Sequence, residues 1–236
     1  MQTIGLIGGI TPQSTIMYYE LLNQLAADKF GPKHSCKVII NSLDFGEVSK
    51  LQSEGRWDLL DDIMIEAAQG LKNAGASIVV ICANTMHLCV DAIKKRVSIP
   101  IVHIAEATVK QIQNKGIEKV ALLGTKYTME KPFFKDILNE NGIDVIIPDE
   151  SERQIIHDVI YDELSKGLLL ESSKQTYLKI IESLTQKGAK GIILGCTEIP
   201  LLINQKDVNV SVFDTTTIHT KAAFDMVTNI LMKDEC

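Results

Sequence analysis

The chain has 236 residues, of which 45% are hydrophobic and 23% are charged, a composition typical of a globular protein with its own core. The net charge of −6 argues against nucleic acid or an anionic membrane as the main partner, since both attract basic surfaces. We also expect no membrane-spanning segment and no secretory signal, and hence a cytoplasmic protein whose cysteines are free thiols.

Short aliphatic runs alternate with amphipathic helical patterns, which predicts an α/β fold with parallel sheets. Thr11 can cap a first helix that begins at Pro12 and ends before Gly31-Pro32. The predicted strands are Thr3–Ile7, Lys37–Asn41, Ser77–Cys82, Ile101–Ile104, Lys119–Leu123, Asp144–Ile147, Gly191–Leu194 and Asn209–Phe213. Further predicted helices include Asp58–Lys72, Lys131–Glu140, Glu152–Lys166 and Lys174–Lys187.

The two halves of the chain resemble each other. Ile4–Gly9 is similar to Val120–Thr125, and Ser77–Thr85 is similar to Gly191–Glu198. Each segment reads as a strand that leads into a turn of small or polar residues. The repeat therefore predicts two related lobes, each with a small parallel sheet flanked by helices.

We expect residues 1–97 with 214–236 to form the N-terminal lobe and residues 98–213 to form the C-terminal lobe. The last segment, Asp214–Met232, then packs back on the first lobe. In this arrangement Ala83 and Cys196 occupy equivalent strand ends. Because open α/β sheets bind ligands beyond the carboxyl ends of their strands, the sequence predicts a site in the cleft between the lobes.

Cys196 stands at the end of a predicted strand, directly before an apparent helix start at Thr197-Glu198. A helix N-terminus stabilises a thiolate, so this position favours a reactive cysteine with a lowered pKa. The alternative is a small buried residue that packs a turn, which is common for a free cysteine. Glu198 can orient Cys196 or a substrate amine, although acidic residues are also ordinary in a first helical turn.

Asn84 and Thr85 follow the equivalent strand of the first half. Their side chains and backbone N–H groups can hold a carboxylate, or they can serve only as helix caps. Gly8-Gly9 and Gly124-Thr125 form small turns that let a ligand approach the backbone. Neither turn has the spacing of a nucleotide-binding loop, so a nucleotide is not expected.

Two histidines, His87 and His103, lie near apolar segments. Each is either a partner for a cysteine or a core histidine satisfied by its neighbours. No spacing of Cys and His residues favours a metal site, and we expect none.

The chain resembles the aspartate/glutamate racemase superfamily along nearly its whole length, and in particular the aspartate racemase branch with its broad-specificity amino-acid racemases. The motifs that carry the resemblance are Gly5–Gly9, Ala83–His87, Gly195–Glu198, Leu51–Trp57, Gly124-Thr125 with Thr128-Met129, Ile160-Tyr161 and Phe213–Thr216. The resemblance implies two pseudo-symmetric lobes, an active site between them, a homodimer, and racemisation without a cofactor.

In this superfamily one cysteine from each lobe acts as acid or base on opposite faces of the substrate α-carbon. Cys196 matches the second cysteine, whereas the first, which directly precedes Asn-Thr, is Ala83 here. Adjacent Cys82 should point to the opposite side of its strand. Some relatives carry threonine at the first position, and arylmalonate decarboxylases keep only the second cysteine. Ala83 is either such a natural variation or an engineered substitution.

The resemblance implies a racemase for aspartate- or glutamate-like substrates, weak or one-sided because Ala83 cannot move a proton. The expected ligand is an acidic amino acid or a small dicarboxylate. Two alternatives stay open: a one-thiol lyase such as a decarboxylase, and a dicarboxylate binder without turnover. The expected substrate-binding residues are Ile10, Gln52, Asn84, Thr85, Thr125, Thr128, Thr197 and Glu198.

Overall fold

The computed structural model of the chain describes residues 1–229, without the side chain of residue 229. The end of the predicted last segment and Cys236 lie outside the described residues. The chain divides into two compact units, one comprising Met1–His103 with the described residues from His219 on, and the other Ile104–Ile218. The boundaries between the units lie at 103/104 and 218/219. The sequence predicts them a few residues earlier, at 97/98 and 213/214.

The first unit contains a parallel three-stranded sheet of β1 (Ile4–Gly8), β2 (Val38–Ser42) and β3 (Ile78–Ile81), in the order β2-β1-β3. Its helices are α1 (Pro12–Phe30), α2 (Phe45–Ser53), α3 (Trp57–Asn73) and α4 (Val90–Arg96), and a 3₁₀ helix spans Thr85–Cys89.

The second unit contains a parallel four-stranded sheet of β4 (Lys119–Gly124), β5 (Asp144–Ile146), β6 (Gly191–Gly195) and β7 (Ser211–Asp214), in the order β5-β4-β6-β7. Its helices are α5 (Ile104–Asn114), α6 (Lys126–Glu130), α7 (Pro132–Glu140), α8 (Glu150–Asp162), α9 (Glu171–Gln186) and α10 (Ile199–Leu202), with 3₁₀ helices at Leu164–Lys166 and Gln205–Asp207. Helix α11 (Thr215–Asn229) begins in this unit, and its residues from His219 on belong to the first. The predicted α/β fold with small parallel sheets flanked by helices is confirmed.

Local signals place the start of α1 where the sequence predicts it. The Thr11 side chain accepts a hydrogen bond from the Ser14 N–H at 3.3 Å, and Pro12 occupies the first helical position, where its missing N–H costs nothing. The helix ends at Phe30, as expected from the Gly31-Pro32 pair.

Helix α8 begins earlier and ends earlier than predicted. Asp149 and Glu152 form a reciprocal capping box at its start, with N···O distances of 2.9 and 3.0 Å. The predicted span to Lys166 is wrong beyond Asp162, because the chain tightens into a 3₁₀ turn that ends at Gly167 with a left-handed φ of 77°.

The predicted strand Ile101–Ile104 is also wrong. Ile101 makes only an isolated parallel bridge to Val79, and Ile104 already begins α5. Pro100 has no N–H to extend a ladder, although its carbonyl accepts the Val79 N–H at 2.8 Å. This pairing with β3 explains why residues 98–103 belong to the first unit.

Each sheet separates two apolar clusters. On β3 the side chains of Val79 and Ile81 pack into one cluster, and those of Ile78 and Val80 pack into the other. The side chain of Cys82 lies in the same cluster as Ile78 and Val80, whereas that of Ala83 lies in the cluster of Val79 and Ile81. This is the alternation expected along a strand. Of the helices that the structure describes, none combines the length and the apolar character that a bilayer span requires.

Candidate active site

The carboxyl ends of β4 and β6 meet at two glycines. Gly124 is paired with Gly195, and a Cβ on Gly195 would lie 2.9 Å from the Leu123 carbonyl oxygen. This close approach of two backbones admits no side chain. As a result, Thr125 and Cys196 leave neighbouring strands at the same level of the sheet.

Cys196 is held against a carboxylate. Its Sγ donates to Oε2 of Glu198 at 3.0 Å, and the Thr197 hydroxyl donates to the same oxygen at 2.6 Å. All three residues are buried. The end of β6 therefore carries two proton donors that converge on one carboxylate oxygen.

The predicted lowering of the Cys196 pKa is wrong, because its pKa is raised well above the ordinary value. The causes are burial of the thiol, the charge of Glu198 and the hydrogen bond to it, which outweigh the opposing N–H groups of Glu198 and Thr197. Helix α10 begins only at Ile199 and has four residues, so its N-terminus does not reverse this balance. The resting form of Cys196 is the thiol.

Thr125 and Thr128 stabilise the turn after β4. The Thr125 hydroxyl accepts the Thr128 N–H at 3.2 Å as the cap of α6, and the two hydroxyls lie 3.2 Å apart. Thr128 is fully buried, with its methyl group close to Gly124 and Gly195. The structure thus gives both threonines a local structural role, and their contact with a substrate stays a prediction.

Tyr161 on α8 is a neighbour of Cys196 that sequence reasoning did not select as a site residue. Its pKa is raised mainly by burial and further by electrostatic interaction with Cys196, Tyr127 and Glu198, and its side chain packs against the apolar cluster that contains Cys196. Its ring also packs against His157, with centroids 4.6 Å apart. The sequence signal was the Ile160-Tyr161 motif, but its proximity to Cys196 depends on how α8 packs on the sheet.

In the first unit, the turn after β1 brings Ile10 into the apolar cluster that also contains Ala83. Gly9 has a φ of +79°, and a Cβ there would lie 2.1 Å from the Leu43 carbonyl oxygen, so the turn requires glycine. The Gly9 N–H donates to the Thr15 hydroxyl at 2.8 Å. Ile10 and Ala83 then lie in the same apolar cluster.

Asn84 and Thr85 lie at the entrance of the 3₁₀ helix that follows β3. Both side chains are buried, and among the described contacts that of Asn84 makes no capping hydrogen bond to this helix. Gln52 reaches the same helix from α2, where its Nε2 donates to the Met86 sulfur at 3.1 Å. The structure thus brings Gln52 to the segment that carries Ala83, Asn84 and Thr85.

His87 and His103 are core histidines. His87 Nδ1 lies 2.9 Å from the Ala83 carbonyl oxygen, and the two imidazole rings have centroids 4.8 Å apart. Burial is the main cause that lowers the pKa of His87 to about 4 and that of His103 to about 2. Within residues 1–229, no three His, Cys, Asp or Glu side chains are grouped so that they could hold a metal ion.

Two crystal structures of other proteins match nearly the whole chain. A Yersinia pestis protein proposed to be an Asp/Glu racemase is 45% identical, with a TM-score of 0.90 and coverage of 96% of this chain and 99% of that one. An aspartate racemase homologue from Pyrococcus horikoshii OT3 is 38% identical, with a TM-score of 0.85 and coverage of 97% and 100%. The fold is that of the amino-acid racemases, and the protein is an isomerase of this class.

The chain belongs to the Asp/Glu/hydantoin racemase family, whose family model matches residues 7–223. The broad-specificity amino-acid racemase RacX of Bacillus subtilis (strain 168) is 20% identical over 227 residues, which cover 93% of this chain and 95% of RacX. The resemblance inferred from the strand-end motifs is confirmed.

Proposed function

We propose that the protein racemises aspartate, glutamate or a closely similar acidic amino acid, with Cys196 as acid and base on one face of the α-carbon. The observation that carries this proposal is the buried Cys196 thiol, 3.0 Å from Glu198 Oε2 at the carboxyl end of β6. The family and the relatives named above support the substrate class. The reaction needs no cofactor in this proposal, because the thiol exchanges a proton with the amino acid directly.

The resting protonation of Cys196 dictates the first step. The thiol proton passes to the Glu198 carboxylate along the existing hydrogen bond, and the resulting thiolate removes the α-proton of the substrate. Cys196 is then a thiol again and can return a proton to the same face. Solvent exchange through Glu198 replaces that proton with deuterium in D₂O.

The negative charge that develops on the substrate must be stabilised by hydrogen-bond donors. In the proposal Asn84 and Thr85 bind the α-carboxylate and stabilise its enediolate-like form. In the proposal Thr125, Thr197 and Gln52 also assist substrate binding. Burial of these side chains supports the proposal, because donors act more strongly where water is excluded.

The residue that the family resemblance assigns to the second face of the α-carbon is Ala83, which carries no titratable group. Cys82 is a poor substitute, since its thiol belongs to the apolar cluster on the opposite side of β3 and burial raises its pKa. Exchange on the Cys196 face is therefore faster than inversion. Water or the Thr85 hydroxyl supplies the slow second proton.

Proton NMR in D₂O with each enantiomer of aspartate and glutamate tests the proposal. One enantiomer should lose its α-proton signal with retention of configuration, and Cys196→Ala should abolish this exchange. Cys36→Ala, which removes another buried thiol, should leave it unchanged. Absence of exchange with all four amino acids would contradict the proposal.

One observation also favours a second candidate, a one-thiol lyase. Protonating an enediolate after loss of carbon dioxide requires a single acid, and Cys196 is a thiol at rest, whereas the position that matches the family's first cysteine is Ala83. Turnover of an aryl- or alkylmalonate, with no α-proton exchange in aspartate or glutamate, would favour the lyase. Saturable stabilisation by dicarboxylates without either reaction would indicate a binder.

The proposal also includes a homodimer and a cytoplasmic location, both of which rest on the family resemblance. Analytical ultracentrifugation at micromolar concentration tests the first, and fractionation of the producing cells tests the second. A monomer at all concentrations, or a protein outside the cytoplasmic fraction, would contradict these parts alone.

A further inference from the structure

We propose that His87 is a positioning residue, which holds the Ala83-Asn84 backbone so that Asn84 and Thr85 are presented to the substrate carboxylate. This inference rests on the proposed function, in which Asn84 and Thr85 bind that carboxylate. His87 itself does not touch the substrate. It acts through the main chain of the segment that it holds.

The Nδ1 atom of His87 is the ring nitrogen that holds the Ala83-Asn84 backbone. Nδ1 lies 2.9 Å from the Ala83 carbonyl oxygen and 3.2 Å from the Asn84 carbonyl oxygen. Both of these oxygens can only accept, so Nδ1 donates to them, and the Val102 carbonyl is a further backbone hydrogen-bond partner of the ring. The His87 backbone N–H adds another bond, to the Asn84 oxygen at 3.1 Å.

Three successive carbonyls after β3 are held by side chains. The Ser14 hydroxyl donates to the Cys82 carbonyl, and His87 donates to those of Ala83 and Asn84. Cys82, Ala83 and Asn84 are also buried, where an unmade hydrogen bond costs about 1–3 kcal/mol. The direction in which the chain leaves the strand is therefore set by Ser14 and His87.

A second buried histidine supports the ring of His87. His219 Nε2 donates to the Val102 carbonyl at 2.7 Å, which leaves Nδ1 as an acceptor for the Tyr18 hydroxyl at 2.8 Å. The rings of His87 and His219 meet edge to face with centroids 5.3 Å apart. The ring of His87 thus packs against His219, which Tyr18 holds in place, and against His103.

This cluster is uncharged at neutral pH. Burial is the largest cause that lowers the pKa of His87 to about 4, of His219 to about 3 and of His103 to about 2. Three neutral rings can pack at these distances without mutual repulsion. The Nδ1–H of His87 is consequently present throughout the neutral range, as a constant support for the Ala83-Asn84 backbone.

The test compares three replacements of His87. His87→Asn keeps an N–H close to the position of Nδ1, His87→Gln moves it to the position of Nε2, and His87→Leu removes it. We expect KM for the acidic amino acid to rise about tenfold or more in the Leu and Gln variants, with a smaller change in kcat, and to return towards wild type in the Asn variant. The matched control is Thr108→Val, which removes a buried hydroxyl bond to the Ile104 carbonyl and should not change KM.

Hydrogen exchange without any amino acid separates this inference from the proposed function. Backbone amides of residues 84–89 should exchange faster in the Leu and Gln variants than in wild type or the Asn variant. If the wild-type protein shows no turnover, the proposed function fails, and this exchange pattern alone decides the role of His87. Equal exchange and equal KM in the Asn and Gln variants would overturn the inference, even if the Leu variant does not fold.

Discussion

The thiol of Cys196 and the carboxylate of Glu198 are hydrogen-bonded, with Sγ 3.0 Å from Oε2. A carboxylate at this distance disfavours the thiolate, and burial disfavours it further. Glu198 thus favours the protonated form of Cys196 and, as its hydrogen-bond acceptor, can also take its proton. In the proposed mechanism, this relationship lets one thiol serve first as base and then as acid.

Replacing Glu198 with Gln should make Cys196 more nucleophilic in the absence of substrate. The change removes a negative charge that raises the Cys196 pKa, so the thiolate should form at lower pH. We expect alkylation by iodoacetamide at pH 8 to be about tenfold faster or more, measured by peptide mapping. Glu163→Gln, which removes a carboxylate bonded to the Ser173 hydroxyl, is the control and should not change the rate. An unchanged rate in both variants would contradict the assigned cause.

Installing a thiol at position 83 should convert one-sided exchange into racemisation. Ala83→Cys supplies an acid and base for the second face, an effect typically of about 10²–10⁴-fold. The inversion rate of aspartate or glutamate, followed by chiral chromatography in both directions, should rise accordingly. Ala83→Ser is the matched control for volume, because a hydroxyl is a much weaker base. A folded cysteine variant that binds the amino acid without a faster inversion would contradict the two-face mechanism.

A methyl group on Gly195 should disturb the strand end that carries Cys196. Its Cβ would lie 2.9 Å from the Leu123 carbonyl oxygen and 3.1 Å from the Thr128 methyl group, so the backbone must shift. We expect Gly195→Ala to lower the free energy of unfolding by about 1–3 kcal/mol and to reduce exchange activity. Denaturant unfolding measures the first effect.

Gly70→Ala is the opposite case and the control for the substitution at Gly195. Gly70 lies within α3, and an added Cβ would meet only Asn41 Nδ2, at 3.5 Å. The same measurement should show a gain of about 0.5–1 kcal/mol, because alanine favours the helix. Similar losses in both variants would argue against a special constraint at Gly195.

The free energy of unfolding should fall when the pH is lowered from 7 to 5. The folded-state pKa values of His87, His103 and His219 are lowered to about 4, 2 and 3, whereas an unfolded histidine titrates near 6.5. Below about pH 6.5 the unfolded chain therefore binds protons that the folded chain does not, and unfolding is favoured. Each histidine contributes up to about 1.4 kcal/mol per pH unit.

Urea unfolding at several pH values checks this linkage. His103→Phe should reduce the slope of the unfolding free energy against pH between 5 and 6.5 by about one proton. The slope of the wild-type protein should correspond to more than one proton. A flat profile in that range would show that the three histidines are not neutral and buried together.

The sequence by itself determined the class of fold and the positions of most elements. Alternating strand and helix periodicity, the Thr11-Pro12 helix start and the Gly31-Pro32 stop are local signals, and they act over a few residues of chain. The similarity between the two halves of the chain also identified Ala83 and Cys196 as equivalent strand ends. Where local signals competed with packing, as at Ile101–Ile104, the prediction was wrong.

Only the tertiary structure decided the protonation of the candidate site. The helix start after Cys196 predicts a lowered pKa, but burial by distant segments and the orientation of Glu198 raise it. In the same way, the role proposed for His87 depends on Tyr18 and His219, which meet only when α1 and α11 pack together. Proton affinities depend on solvation and on neighbours distant in the chain, and neither is encoded in a local pattern.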